Sequence, residues 1–190
     1  MYQKYNTEAL ILGSRESGES DRTIVLFSKD FGLVRARATA VRSEKSKMRY
    51  ALQNYTLSNV SLVRGKRSWR VAGATALRLA TADVRAVGTF ARTSELVVRL
   101  VHGEEQNQYL YAALVEAHSA LMRENVEAFG TIEIVCVARV LYSLGYISAE
   151  ALETALFTHT AYTGEHLMEA ETMRDKLLTS INKAIAETQL

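Results

Sequence analysis

The sequence contains no proline and a single cysteine, Cys136. One cysteine excludes an internal disulfide framework and any cysteine-rich zinc site within these 190 residues. Without proline, the turns depend on glycine, asparagine and serine, which is compatible with long helices. The composition therefore favours an ordinary folded protein that is held together without covalent cross-links.

Long apolar runs are also missing. No stretch approaches the roughly 20 apolar residues that a membrane span needs. The beginning of the chain, MYQKYNTEALILGSRESG, has neither a long apolar core nor a small-residue cleavage site, so it does not resemble a signal peptide. We expect a cytoplasmic protein with no membrane contact.

Charge is unevenly distributed although the formal net charge is only +2. Residues 1–80 hold 15 lysines and arginines against 6 acids, a net charge of +9, whereas residues 81–190 hold 8 against 15, a net charge of −7. This split predicts two domains, a polyanion-binding one over residues 1–80 and a second with another role over residues 81–190.

The basic half has the pattern of short strands. Five segments alternate in polarity or are rich in β-branched residues, and turn residues separate them: 7–12, 22–28, 31–38, 55–63 and 68–73. Five strands within about 75 residues predict a small closed or nearly closed barrel. A basic barrel of this size is typical of an OB-fold, which binds single strands through a cationic groove and stacking aromatics.

The stretch from Phe31 to Gln53 is the most informative. Its first half alternates so that Arg35 and Arg37 share one face and small apolar residues share the other. A basic run follows, closed by Tyr50 and Tyr55, which are candidate stacking residues; its cations are Arg42, Lys45, Lys47 and Arg49. The pattern suits a polyanion, although a charge run of this kind is also typical of a merely solvated surface.

After Leu79 the apolar period changes from 2 to about 3.6. The pattern predicts an acidic bundle of helices, the third of which is apolar almost all round and therefore central. The predicted helices cover residues 83–102, 107–124, 129–144, 149–157 and 167–190, with Asp83 and Ser148 as N-caps and Gly145 as a C-terminal stop. The expected fold class is α+β, an OB-fold barrel followed by an all-α domain.

Catalytic patterns are weak. The four histidines are scattered and no phosphate-cradling glycine loop is present. Cys136 lies among valines and is expected in the core. His159 and His166, with Glu165 and Glu169 nearby, leave open a metal site.

Two single residues have alternative roles. Trp69 either stacks on a base or fills the barrel, and we favour the core. Arg139, in the apolar third helix, either pairs internally with an acid such as Glu133 or faces a groove that receives an acidic partner.

Several motifs, in this order, resemble the bacterial recombination mediator RecO. They are Gly18-Glu19-Ser20-Asp21-Arg22, Leu26-Phe27, Phe31-Gly32-Leu33, the basic segment 41–49, Ala51-Leu52-Gln53 and, further on, Ala138-Arg139-Val140-Leu141-Tyr142-Ser143-Leu144-Gly145-Tyr146. The resemblance implies an OB-fold followed by a helical domain without enzymatic activity. It implies binding to single- and double-stranded DNA, strand annealing, and cooperation with RecR in loading RecA onto DNA coated by single-stranded-DNA-binding protein, whose acidic C-terminal tail is also contacted. It also places the protein on the nucleoid.

Carried onto this sequence, the resemblance implies DNA-binding cations in the basic stretch, to which we add those of the turn at residues 64–67. They are Arg35, Arg37, Arg42, Lys45, Lys47, Arg49, Arg64, Lys66 and Arg67. Arg139 is the candidate for partner binding. Many members of the family place a four-cysteine zinc module after Leu-Gly-Tyr, but residues 147–165 contain no cysteine, so we expect no zinc or other cofactor.

Two other functional classes stay open on the sequence alone. One is a protein–protein adaptor whose helical domain docks an acidic partner tail while the barrel binds nucleic acid only weakly. The other is a metal enzyme built on His159 and His166.

Overall fold

The computed structural model describes residues 3–66 and 68–188, with the backbone alone at Ala151. Its first part is a closed five-stranded barrel in the order β1-β2-β3-β5-β4. The strands are β1 (Lys4–Glu16), β2 (Arg22–Ser28), β3 (Gly32–Ala38), β4 (Leu57–Arg64) and β5 (Trp69–Arg78). The predicted fold class, an OB-type barrel followed by helices, is confirmed.

The length of β1 closes the barrel. Its 13 residues pair with β4 through Lys4–Leu10 and with β2 through Ala9–Glu16, and a bulge between Ile11 and Gly13 lies within the β2 pairing, just after the β4 pairing ends. All these pairings are antiparallel; β3 and β5 join in parallel through two residue pairs.

The barrel interior is filled by the alternate residues that the sequence pattern predicted. Val34, Ala36 and Ala38 of β3 are buried, and they pack in one cluster with side chains of the other strands. Trp69 is 2% exposed within that cluster, which confirms its expected core position. Two residues from the connection between β3 and β4, Val41 and Leu52, also belong to the cluster and so anchor that connection to the barrel.

The helical part contains α1 (Val84–Leu100), α2 (Gln108–Arg123), a short 3-10 helix (Val126–Ala128), α3 (Phe129–Ser143), α4 (Ala149–Leu152), α5 (Gly164–Thr172) and α6 (Arg174–Glu187). As expected, the Asp83 carboxylate accepts hydrogen bonds from the amides of Arg85 and Ala86 at the start of α1. Gly145 ends α3 with φ of 81°, and Cys136 is buried in that helix. None of the helices among the described residues has both the length and the apolar character that a membrane span requires.

Two predicted helices differ from the structure. The helix expected over residues 149–157 ends at Leu152, where Glu153 takes a left-handed conformation with φ of 51°. The helix expected from Leu167 begins at Gly164, because Thr163 and His166 form a capping box, and Met173 separates it from α6.

The chain divides into two compact units, residues 1–82 with 98–111, and residues 83–97 with 112–190. Residues 98–111 therefore pack with the barrel, although the sequence pattern placed them in the helical domain. Three polar contacts hold them there: Glu104 to Arg64 at 3.4 Å, the Gln106 amide to the Lys29 carbonyl at 3.2 Å, and the Tyr111 hydroxyl to Glu8 at 3.3 Å. The pKa of Tyr111 is raised, first by burial and then by the charge of Glu8.

Candidate nucleic-acid interface

Arginines line the open face of the barrel. Arg35 and Arg37 of β3 are exposed between buried neighbours, so both point away from the interior. In the pairing register, Thr23 stands between Arg15 on one side and Arg37 on the other, and Arg37 stands beside Arg70. Residues paired across strands share a face, so we call Arg15, Thr23, Arg37 and Arg70 the cross-strand row.

The cross-strand row spans four neighbouring strands. Strands lie about 4.8 Å apart, so the row extends over roughly 14 Å of the sheet. Its three arginines are exposed. Arg35 lies two residues from Arg37 on the same strand face, beside Val25. The result is a continuous cationic surface.

The sequence analysis missed Arg15 and Arg70 as members of this surface. Arg15 follows a bulge, and Arg70 comes next to Arg37 only through the parallel pairing of β3 and β5. Neither relationship is visible in the local alternation of residues. The one available signal is that β5 alternates with Trp69 buried and Arg70 exposed.

The basic loop, residues 39–56, extends this surface. Both of its ends are fixed: Val41 and Leu52 are buried, and the carbonyl of Ala51 accepts a hydrogen bond from the Ser58 hydroxyl at 2.6 Å. The middle of the loop lies at the surface and carries Lys45, Lys47 and Arg49, all exposed. Its cations are thus held on an anchored segment rather than on a free tail.

Three of the expected DNA-binding cations have acidic partners. Arg37 contacts Asp21 at 2.7 Å, Arg42 contacts Glu16 at 3.2 Å, and Arg64 contacts Glu104 at 3.4 Å. The guanidinium of Arg64 also lies 5.1 Å from the ring centre of Trp69. The pairs of Arg42 and Arg64 are exposed on both sides, and exposed ion pairs contribute little, so a phosphate group can displace the acid there.

The other cations differ in this respect. Arg35, Lys45, Lys47, Arg49 and Lys66 are exposed and form no ion pair within residues 3–66 and 68–188. Arg67 lies outside the described residues. These unpaired side chains are the ones most available to a polyanion.

Asp21 connects the β1–β2 turn to the start of the basic loop. Its carboxylate accepts hydrogen bonds from the amide of Ala40 at 2.8 Å and from the Arg37 guanidinium. The amide of Ala40, followed by Arg37, lowers the pKa of Asp21. Ala40 itself has φ of 52°, a left-handed conformation that the bond to Asp21 helps to hold.

The structure corrects the expectation for Arg139. Its side chain is 0% exposed and therefore does not face a groove, nor does it pair with Glu133, which contacts Arg92 instead. Arg139 donates hydrogen bonds to the carbonyls of Leu156, Thr160 and Ala161 at 3.0, 2.8 and 3.1 Å, and it lies 4.6 Å from the ring centre of Tyr162. A buried guanidinium must satisfy its donors, and here it does so by organising the segment after α4.

His159 and His166 come together but do not gain further metal ligands. Their ring centres are 3.9 Å apart, and His166 Nδ1 lies 3.0 Å from the Thr163 hydroxyl in the capping box. Burial, followed by the proximity of His166, lowers the pKa of His159. Among the described residues, no group of three or more histidine, cysteine, aspartate or glutamate side chains is placed to hold a metal ion. Burial raises the pKa of Cys136 to about 12, which keeps its thiol protonated.

The part of the chain that forms the barrel resembles a known protein family. Residues 1–78 match the family model of the recombination protein O N-terminal domain. The barrel is therefore similar to the N-terminal domain of RecO. The resemblance to RecO found in the sequence is thereby confirmed over the barrel.

The chain is also similar to several proteins named DNA repair protein RecO, of which three illustrate the range. The one from Desulfitobacterium hafniense is 44% identical over 62 residues, which is 33% of this chain and 23% of the relative. The one from Pelotomaculum thermopropionicum is 29% identical over 115 residues, 59% of this chain and 45% of the relative. The one from Synechocystis is 33% identical over 66 residues, 35% of this chain and 24% of the relative. The chain thus spans less than half the length of these curated relatives.

Proposed function

We propose that this chain is a DNA-binding protein of recombinational repair that holds DNA on the RecO N-terminal barrel. The observation that carries the proposal is the cross-strand row, continued by Arg35 and by the exposed cations of the basic loop. Phosphates placed along this surface would release their counterions, so the affinity for DNA should fall steeply with salt.

The finer activity is part of the same proposal. The protein anneals complementary strands, cooperates with RecR and aids the loading of RecA onto DNA coated by single-stranded-DNA-binding protein, without catalysing a reaction. It works on the nucleoid in the cytoplasm. Annealing is supported by the cationic surface, because it offsets the repulsion between two phosphate backbones.

The partner contacts need a site other than Arg139. Because that side chain is buried and fully engaged with three carbonyls, an acidic tail of single-stranded-DNA-binding protein would have to bind elsewhere on the chain. The adaptor function inferred from a groove-facing Arg139 therefore loses its main support.

The experiment is a titration of fluorescently labelled single-stranded DNA at several salt concentrations. It compares the wild type with Arg35→Glu/Arg37→Glu and with Lys176→Glu/Lys183→Glu. The control pair changes the net charge equally on exposed positions of α6. We expect the barrel variant to bind at least about tenfold more weakly and to lose about 1.4 from the slope of log affinity against log salt, since each phosphate contact to a single strand contributes about 0.7.

Equal loss in both variants would show that net charge alone governs binding, and would contradict a site on the barrel. Absence of binding by the wild type at physiological salt would contradict the DNA function and favour the adaptor. If the wild type binds, mixing complementary oligonucleotides with and without the protein tests annealing directly.

A further inference from the structure

Among residues 3–66 and 68–188, the open face of the barrel offers cations and no exposed ring. Around the row, the outward side chains of β1, β2, β3 and β5 are Arg15, Thr23, Val25, Arg35, Arg37 and Arg70. Phe27 lies on the same side of β2 as Thr23 and Val25, but its side chain is 0% exposed. A base lying on this part of the sheet would therefore meet no aromatic surface.

Three aromatic residues, Tyr5, Phe31 and Trp69, pack with the barrel core and contact one another. The ring of Tyr5 lies 5.3 Å from that of Phe31 and 5.6 Å from that of Trp69, and Phe31 and Trp69 are 5.3 Å apart. Trp69 is 2% exposed, and all three belong to or pack against the core cluster. Their energetic role is in packing, so stacking a base on Trp69 would require the barrel to open.

Single-strand binding by barrels of this type ordinarily combines a cationic groove with aromatic side chains on which bases stack. In the part of the chain that the structure describes, this face retains the first component and lacks the second. We propose that it binds the sugar–phosphate backbone alone and leaves the bases directed toward solvent. The ligand class is thus a phosphodiester polyanion irrespective of its bases, and the inference rests on the DNA binding proposed above.

This binding mode would also explain annealing. A strand held by stacked bases must be released from the protein before it can pair, whereas a strand held by its phosphates presents its bases to a second strand. The cross-strand row and the basic loop would then neutralise both backbones while pairing proceeds.

Tyr50 is the more exposed of the two candidate stacking tyrosines, and a base stacked on it would contradict this inference. It is 65% exposed and lies in the basic loop between Arg49 and the buried Ala51. If a base stacked there, the loop would contribute base contacts that the sheet lacks. The test therefore includes Tyr50→Ala.

The experiment uses the full chain with two labelled oligonucleotides of equal length, one of thymidines and one in which every sugar carries no base. We expect both to bind within about twofold of each other and to show the same salt slope. Tyr50→Ala should change neither affinity by more than about twofold. Stacking of a single base would separate the two ligands by about fivefold or more, and several stacked bases by far more.

The outcomes separate the two proposals. Tight binding of the thymidine strand with much weaker binding of the abasic strand would overturn the backbone-only mode and leave the DNA function intact. A loss in Tyr50→Ala that affects only the thymidine strand would do the same and would locate the stacking site. Failure of both strands to bind the wild type would overturn both proposals.

Discussion

Asp21 and Arg37 are joined by two hydrogen bonds, from the Nε and Nη2 atoms of the arginine to one carboxylate oxygen at 3.0 and 2.7 Å. The other oxygen accepts the amide of Ala40, the residue at which the chain leaves β3 for the basic loop. One carboxylate thus connects a strand of the cationic face to the loop that extends it.

This arrangement predicts an acid sensitivity of the barrel. The pKa of Asp21 is lower in the folded protein than that of an ordinary aspartate, so its contribution to stability is present above the unfolded pKa and is lost as the pH falls through the folded value. The urea midpoint of the wild type should therefore fall more between pH 5 and pH 3 than that of Asp21→Asn. Glu19→Gln, in the same turn, serves as the control. A pH response equal in the two variants would contradict the prediction.

The cross-strand row predicts that Arg15 and Arg70 act together with Arg37. Arg15→Glu/Arg70→Glu should weaken single-stranded DNA binding at least about tenfold and reduce the salt slope by about 1.4, as expected for two lost phosphate contacts. Fluorescence anisotropy across a salt series measures both quantities. The Lys176→Glu/Lys183→Glu variant again controls for net charge, and unchanged binding of the row variant would restrict the site to β3 and the basic loop.

Gly32 has both a conformational and a spatial requirement. Its φ is 62°, and a Cβ atom added there would lie 2.0 Å from the carbonyl oxygen of Glu105. Gly18 has a similar φ of 86°, but an added Cβ would meet no atom within 4 Å. We therefore expect Gly18→Ala to lower the free energy of unfolding by about 1 kcal/mol and Gly32→Ala to lower it by about 3 kcal/mol or more.

Urea unfolding followed by Trp69 fluorescence measures this difference, because the single tryptophan of the chain is buried in the barrel. A similar decrease in the free energy of unfolding in the two variants would contradict this prediction. It would mean that residues 103–107 move to accommodate the methyl group added at position 32.

Substitution of the buried Arg139 is expected to lower the stability of the protein strongly. Arg139→Met would leave three carbonyls, those of Leu156, Thr160 and Ala161, without their donor, at a cost of about 3 kcal/mol in the free energy of unfolding. Arg92→Met removes an exposed ion pair with Glu133 and should cost less than about 1 kcal/mol. Thermal unfolding monitored by circular dichroism compares the two variants. DNA binding by the barrel should be unchanged in both, and weaker DNA binding in Arg139→Met would contradict the separation of roles.

Local sequence patterns predicted those strands and helix ends that depend on residues close together in the sequence. The alternation of Val34, Arg35, Ala36 and Arg37 identified the strand and its exposed face because period-two patterning reflects which side is buried. Asp83 and Gly145 marked helix ends through backbone requirements that these residue types satisfy.

Nonlocal relationships were not predictable in the same way. The neighbours of Arg37 depend on strand register, which brings in Arg70 from 33 positions further along the chain. The partners of Arg139 are backbone carbonyls 17 to 22 residues away. Every residue has a backbone carbonyl, so the residue types in the sequence do not indicate which ones accept these bonds.

The pairing of β3 with β5 closes the barrel and is the shortest of its strand pairings. Among the described residues, two pairs join β3 to β5, whereas the other strand pairings each contain seven or eight. This seam sets Arg37, which is paired with Asp21, beside Arg70. A phosphate that contacts both guanidinium groups would link the two strands across the seam. A bound polyanion would then slow the exchange of backbone amide hydrogens in β3 and β5 near this seam. The nucleic acid would thereby stabilise the closed barrel to which it binds.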